Sequence, residues 1–195
     1  EAVSQVNSRT PGQIKKVVYA SSSSVYGNAE QYPTSEDLLP KPVSPYGVTK
    51  LAAEHLMSLY ASEMAVPTVS LRYFTVYGPR QRPDMAFHRF ARAALSREEI
   101  TLYGDGEQSR DFTFIDDIVA ANILAAEKGP AGGIYNLGGG SITTVNQVLD
   151  IVQELCGPLA IKRFDRQKGD ARHTSADTGR ARRDLGFAPK VSLRE

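Results

Sequence analysis

The segment Tyr46-Gly47-Val48-Thr49-Lys50 sets a phenol and an ammonium four residues apart. On a helix, positions i and i+4 share a face, so both groups can point into the same space. A tyrosine with its ordinary pKa of ~10 is a poor base near neutrality. A neighbouring ammonium favours the phenolate and lowers that value, so such a pair is suited to moving a proton. A second segment, Ser21-Ser22-Ser23-Ser24-Val25-Tyr26-Gly27, offers a row of hydroxyls that can donate or accept. A third, Leu71-Arg72-Tyr73-Phe74-Thr75-Val76-Tyr77-Gly78-Pro79-Arg80-Gln81-Arg82-Pro83-Asp84-Met85, runs from an apolar stretch into a Gly/Pro loop. No G-x-S-x-G is present, so an α/β-hydrolase nucleophile has no support. His88 and His173 lack metal-ligand spacing, and the single cysteine, Cys156, excludes an intrachain disulfide and a CxxC-type metal site. Cys156 reads as an inert buried thiol before Gly157-Pro158.

These groups need elements to position them. Lys16-Val17-Val18-Tyr19-Ala20 reads as a buried strand. The serines then fall at its carboxyl end, where open α/β sheets place their ligands. Ser44-Pro45 opens a helix, with Ser as N-cap and Pro at the first helical position. Val48, Leu51, Ala52, His55, Leu56 and Leu59 recur at helical spacing to about Glu63, with His55 read as a packing residue. After the short connection from Met64 to Pro67, Thr68 to Phe74 reads as a second strand. Strand, helix, strand predicts a parallel sheet with helical cover. Further along, Asp84 to Ser96 is amphipathic, Ile100 to Tyr103 is a short strand, and Asp116 is expected to cap a helix. Ile134-Tyr135-Asn136-Leu137 is strand-like, while Asn136 with the following glycines is read as a turn in the second half of the chain. Thr144-x-x-Gln147 is a capping box whose helix stops at Gly157-Pro158.

The composition is that of an ordinary soluble globular protein: 195 residues, 41% hydrophobic, 23% charged, with a formal net charge of +1. That balance gives no global argument for nucleic acid or an anionic membrane. No stretch approaches the ~20 apolar residues of a transmembrane helix, and residues 1–15 carry no secretory h-region. With one cysteine, a reducing, cytoplasmic compartment is expected. Residues 162–190 hold nine Lys/Arg against four Asp, a run that suits solvated surface or an anionic ligand. The basic residues are not interleaved with stacking aromatics on one element, so no nucleic-acid role is read.

Taken in order, the three segments resemble the extended short-chain dehydrogenase/reductases, the NAD-dependent nucleotide-sugar epimerases and dehydratases. The resemblance continues through Tyr103-Gly104-Asp105-Gly106, Arg110-Asp111-Phe112, Asn136-Leu137-Gly138-Gly139-Gly140, Gly169-Asp170 and Ala176-Asp177. It implies an α/β fold: the carboxyl-terminal part of a Rossmann-type parallel sheet over residues 1–78, and a smaller α/β nucleotide-sugar-binding domain mainly over 79–195. Roughly residues 111–127 are expected to return to the first part. The family's Gly-rich turn for the NAD pyrophosphate is not in this sequence; about 100 residues of βαβ units upstream would supply it. The chain opens at Glu1 without Met, so it reads as cut from something longer, and alone it is expected to be inactive.

By that resemblance Ser22, Tyr46 and Lys50 form a Ser-Tyr-Lys catalytic triad. Tyr46, Lys50, Tyr73 and Val76 border the NAD cofactor. Arg110 and Arg172 look like the arginines that hold a UDP pyrophosphate, since planar forks of donors suit phosphate oxygens. Tyr103 resembles the aromatic packed on uracil, and Asp170 a group near the nucleotide ribose. Dehydratases of this pattern carry acidic residues where this chain has Ser23 and Ser24, so simple 4-epimerisation is the expected reaction. Thr75 with the Arg80–Met85 loop looks more like UDP-glucuronate 4-epimerases, with Ser23, Ser24 and Thr75 donating to a sugar carboxylate and Arg82 near it. The alternatives are a UDP-glucose 4-epimerase, a UDP-glucuronate decarboxylase, or a UDP-sugar-binding piece without activity. A homodimer through the helix at 45–63 is implied by the family, and no metal is expected.

Overall fold

Three parallel strands carry the site. In the computed structural model, which describes residues 2–165 and 172–195, β1 (Val17–Ser22), β2 (Thr68–Tyr73) and β6 (Gly133–Leu137) form one sheet in the order β1-β2-β6. Val17 pairs with Thr68 and Ser22 with Tyr73, so both strands end together. Between β1 and β2 come a tight turn of 3-10 helix over Ser23–Tyr26 and helix α2 (Pro45–Glu63). The chain then enters β3 (Thr75–Tyr77), α3 (Ala86–Ser96), β4 (Glu99–Tyr103), β5 (Ser109–Phe114) and α4 (Ile115–Lys128). After β6 follow β7 (Ser141–Thr144), α5 (Val145–Cys156), β8 (Ala160–Phe164) and α6 (Gly179–Leu185); α1 (Ala2–Arg9) precedes the sheet. A second sheet, β3-β5-β7, is parallel between β3 and β5 and antiparallel between β5 and β7, and β4 pairs parallel with β8.

Each sheet has its own core. Val69, Leu71, Tyr135 and Leu137 of the first sheet pack against Ile118, Ala121 and Ala125 of α4 and Ala181 and Leu185 of α6. β2 is buried along nearly its whole length, polar residues included, the expected condition of a parallel strand covered on both faces. Phe90, Ala93 and Ala94 of α3 meet Ile100, Leu102, Phe112, Val148 and Leu149 in a second core.

Several boundaries differ from the sequence reading. Helix α3 starts at Ala86 rather than Asp84, and Phe114, without a side-chain cap, precedes α4 in place of Asp116. The Ser44 cap and the Thr144/Gln147 capping box form as expected. Asn136 is not in a turn: it lies on β6, paired with Arg72 and fully buried. His55 is exposed rather than packed, and Val48, Leu56 and Leu59 beside it are each about half exposed. Cys156 is only partly buried, at the margin of the second core.

Candidate active site

Strand β1 stops because its last residue turns its side chain back on the backbone. The Ser22 Oγ accepts from the Ser24 N–H at 3.2 Å and donates to the Ser24 Oγ at 3.1 Å, which opens the Ser23–Tyr26 turn. Helix α2 begins against this turn. The Ser44 Oγ accepts the Gly47 N–H at 3.1 Å, and Pro45 supplies the first helical φ. A Cβ on Gly47 would sit 2.5 Å from the Ser24 carbonyl oxygen and 3.0 Å from the Pro42 Cβ. Only glycine admits so close an approach of two backbones.

That approach sets Tyr46, 55% exposed, beside the serine turn. One helical turn on, the Lys50 ammonium donates to the Ala20 carbonyl at 2.8 Å. It lies 5.5 Å from the Tyr46 ring centroid and 5.3 Å from that of Tyr19, within the reach of a cation–π contact. Ser22, Tyr46 and Lys50 therefore come from adjoining elements at the carboxyl end of β1. Lys50 leaves donors beyond its Ala20 bond, a set that suits sugar hydroxyls.

Thr75 and Val76 lie on β3, half-buried, facing Phe112 and Thr113 across the ladder. The Tyr73 hydroxyl donates to the Asn122 Oδ1 at 2.8 Å, and burial pushes its pKa up. Arg82 sits on an exposed loop, ion-paired with Asp84 at 3.0 Å.

A second cluster gathers around β5. The Arg110 Nη1 donates to the Ser109 carbonyl at 2.8 Å and reaches the Arg172 carbonyl at 3.5 Å. The Ser109 N–H donates to the Arg172 carbonyl and the Thr174 N–H to the Ser109 carbonyl, so this backbone clamp brings the two arginines side by side. Arg172 pairs with Asp105 at 3.3 Å, just beyond Tyr103, whose ring tilts against Phe164 at 6.1 Å. The Glu107 N–H, with Arg172, holds the Asp105 carboxyl below its usual range. An exposed pair of this kind is screened by solvent and contributes little to stability. Tyr103, Arg110 and Arg172 thus share one aromatic-edged basic patch. Asp170 lies outside the described residues.

Asp111 fastens the patch to the first sheet. Its carboxylate accepts from the Gly139 N–H at 2.6 Å and the Ala176 N–H at 2.8 Å, with no exposure to solvent. Burial raises its pKa, and the Ala176, Gly139 and Gly140 amides oppose that rise without cancelling it. A native carboxyl raised above the unfolded value of ~3.9 keeps a proton that the unfolded chain has lost. The stability advantage of the wild type over Asp111→Asn should therefore shrink as pH rises through the carboxylate range. Urea titrations of both proteins between pH 3 and pH 7, roughly bracketing that range, check the sign; an advantage that grows with pH contradicts it.

One group of residues went unread in the sequence. Glu54, 2% exposed, receives a two-pronged ion pair from Arg72, with Nη2 at 2.8 Å from Oε2 and Nε at 3.0 Å from Oε1. The Arg72 Nη1 donates to the Tyr26 hydroxyl at 2.7 Å, and that hydroxyl donates to the Asn136 Oδ1 at 2.7 Å. Burial works against the Arg72 charge, but the bond to Glu54 and the neighbouring charges outweigh it and raise the pKa. A faint signal was present: Tyr46, Lys50 and Glu54 are spaced i, i+4, i+8, one helix face.

A profile of the NAD dependent epimerase/dehydratase family matches residues 4–138. An uncharacterized UDP-glucose epimerase, YtcB, of Bacillus subtilis is 43% identical over 185 residues, covering 93% of this chain and 58% of that protein. A UDP-glucuronate 4-epimerase of Thermodesulfobacterium geofontis is 40% identical over 186 residues, covering 93% of this chain and 57% of that protein. The crystal structure of UDP-glucuronic acid 4-epimerase from Bacillus cereus, in complex with UDP-glucuronic acid and NAD, superposes with a TM-score of 0.87 at 43% identity, covering 92% of this chain and 58% of that one. The chain thus spans a little over half the length of these relatives. Among the described residues, no helix is long and apolar enough to cross a membrane.

Proposed function

The chain belongs to the NAD-dependent epimerase/dehydratase family, and from that premise we propose that the protein is an NAD-dependent 4-epimerase of UDP-sugars acting on UDP-glucuronate. The observation that carries the reading is the placement of Tyr46 and Lys50 on one face of α2, against the serine turn at the end of β1. Lys50 keeps donors for the nicotinamide ribose beyond its bond to Ala20. NAD, held by these residues, would supply reversible hydride transfer at the sugar C4.

The chain's own part is proton handling and orientation. Ser22 donates a hydrogen bond to the 4-oxygen, Lys50 stabilises Tyr46 as the phenolate, and that phenolate takes the proton of the 4-hydroxyl and becomes a neutral phenol. The 4-keto sugar turns over, and Tyr46 returns the proton to the 4-oxygen. Tyr73 and Val76 border the cofactor. Tyr103 packs on uracil, Arg110 and Arg172 hold the pyrophosphate, and Asp170 stands near the nucleotide ribose. Ser23, Ser24 and Thr75 donate to the sugar carboxylate, with Arg82 ordering the loop beside it through Asp84. A pinned carboxylate keeps the β-keto acid from aligning for loss of CO2. In this reading residues 1–78 serve the cofactor and 79–195 mainly the nucleotide sugar; β6, paired with β2, belongs with the first. A homodimer in the cytoplasm completes the proposal; the half-exposed apolar residues Val48, Leu56 and Leu59 of α2 support the dimer alone.

The protein at its native length should convert UDP-glucuronate to UDP-galacturonate with NAD present, followed by NMR. A UDP-pentose product means decarboxylation instead. Turnover of UDP-glucose alone moves the substrate to the one in the YtcB name. Binding of UDP without NAD, read by calorimetry, would leave only a nucleotide-sugar-binding protein. Thr75→Ala should raise KM for UDP-glucuronate by roughly 10-fold, the loss of one hydrogen bond to a charged group, and spare UDP-glucose. Equal losses on both substrates remove Thr75 from carboxylate recognition.

A further inference from the structure

We propose that the buried Glu54–Arg72 ion pair is the positioning element of the proton-transfer site, holding the Ser22–Ser24 turn and the Tyr46–Lys50 face of α2 in one fixed relation. The inference rests on the reading of Tyr46 as acid/base given above. Glu54 and Arg72 are not placed in contact with substrate or cofactor; they act through other residues.

The pair grips the serine turn at both ends. The Ser21 Oγ, one residue before Ser22, donates to the Glu54 Oε1. Tyr26, the last residue of the turn, receives the Arg72 Nη1 at 2.7 Å, and the guanidinium lies 4.8 Å from its ring centroid. Glu54 stands on α2 one helical turn past Lys50 and two past Tyr46. Its anchorage therefore fixes the rotation of the helix about its own axis, which decides where the Tyr46 hydroxyl points. From Tyr26 the bonds continue to Asn136 on β6, whose side-chain amide donates to the Thr34 carbonyl at 2.8 Å and whose backbone N–H donates to the Glu36 carboxylate at 2.8 Å. Thr34 in turn is bonded on both sides to the Ser175–Asp177 segment, a few residues from Arg172. One run of directional bonds thus joins five elements around the site.

Stability does not account for the pair. Apolar residues of similar volume commonly replace a buried ion pair with no loss, because its desolvation offsets its attraction. What apolar residues cannot supply is direction. A bidentate carboxylate–guanidinium fork fixes orientation as well as distance.

The test separates packing from positioning in the native-length protein with NAD, each variant being assayed where it is fully folded. Glu54→Met/Arg72→Met keeps volume and removes both charges together. Expected are a melting temperature near that of the wild type, kcat lower by ~10²-fold, the usual result of a misplacement near 1 Å, and a KM within ~3-fold of the wild type. Wild-type kcat in the double variant overturns the proposal. Should the double variant not fold, Ser21→Ala decides, since it cuts only the link from Glu54 to the turn: kcat falls by ~10-fold, or, if unchanged, the proposal is lost. Amide hydrogen exchange in Ser21→Ala gives a readout free of activity. Protection lost over residues 22–26 but kept in β2 supports positioning; unchanged protection overturns it. An inactive wild type would count against the epimerase reading, and the exchange result would still decide this one.

Discussion

Tyr46→Phe should lower kcat by ~10²–10⁴-fold, the range spanned by loss of a positioned acid/base group. The ring remains, and with it the approach of the Lys50 ammonium at 5.5 Å from the ring centroid. Lys50 also keeps its bond to the Ala20 carbonyl. The helix and the serine turn are then undisturbed, and only the atom that carries the proton is gone. KM should move little, because Tyr46 acts most strongly in the transition state. Stopped single-turnover measurements with UDP-glucuronate, together with melting curves, check both halves of the expectation. Turnover within ~10-fold of the wild type would transfer the acid/base role to another group.

Gly47→Ala, a substitution that helix propensity favours by up to ~1 kcal/mol, should instead be harmful. The new methyl group would stand 2.5 Å from the Ser24 carbonyl oxygen, and both atoms belong to rigid neighbours: a helix's first turn and a 3-10 turn. Relief requires α2 to move away from the serines. Overpacking of this kind destabilises by about 1–3 kcal/mol. The same displacement separates Tyr46 from Ser22, and a shift near 1 Å lowers kcat by ~10²-fold. Urea unfolding and kcat measured on one preparation test the two effects together. An Ala variant that is more stable and fully active shows that the contact relaxes without moving the helix.

The two substitutions mark where sequence reading succeeds and where it stops. The Tyr46–Lys50 pair was legible because helical spacing is a local rule and Ser44-Pro45 announces where the helix begins. The serine row was legible as a strand-end loop because β-branched residues precede it. The apolar face read along α2 was misplaced: Val48, Leu56 and Leu59 are half exposed, while the side turned inward carries Gly47 and Glu54. A buried carboxylate breaks the rule that charged residues lie outside, and it can do so only because Arg72 meets it from β2.

Asn136 reads two ways in the sequence, strand-like within Ile134 to Leu137 and turn-like with the glycines that follow it. Its glycine-rich neighbourhood looks like a turn, yet the pairing of β6 with β2 makes it a fully buried strand residue. The arginines could be named from the family resemblance, but their meeting depends on the backbone clamp between Ser109, Arg172 and Thr174, more than 60 residues apart.

By itself, then, the sequence determined the alternation of strand and helix, the Ser44 and Thr144 caps, and the spacing that puts a phenol and an ammonium on one face, because these follow from backbone geometry within a few residues. The tertiary structure alone decided which face of α2 is buried, that Gly47 is the point of closest approach, and that Ser21, Tyr26, Glu54, Arg72 and Asn136 form one run of bonds. Those outcomes depend on which strand lies beside which, and a buried polar group is stable only where distant partners complete its hydrogen bonds.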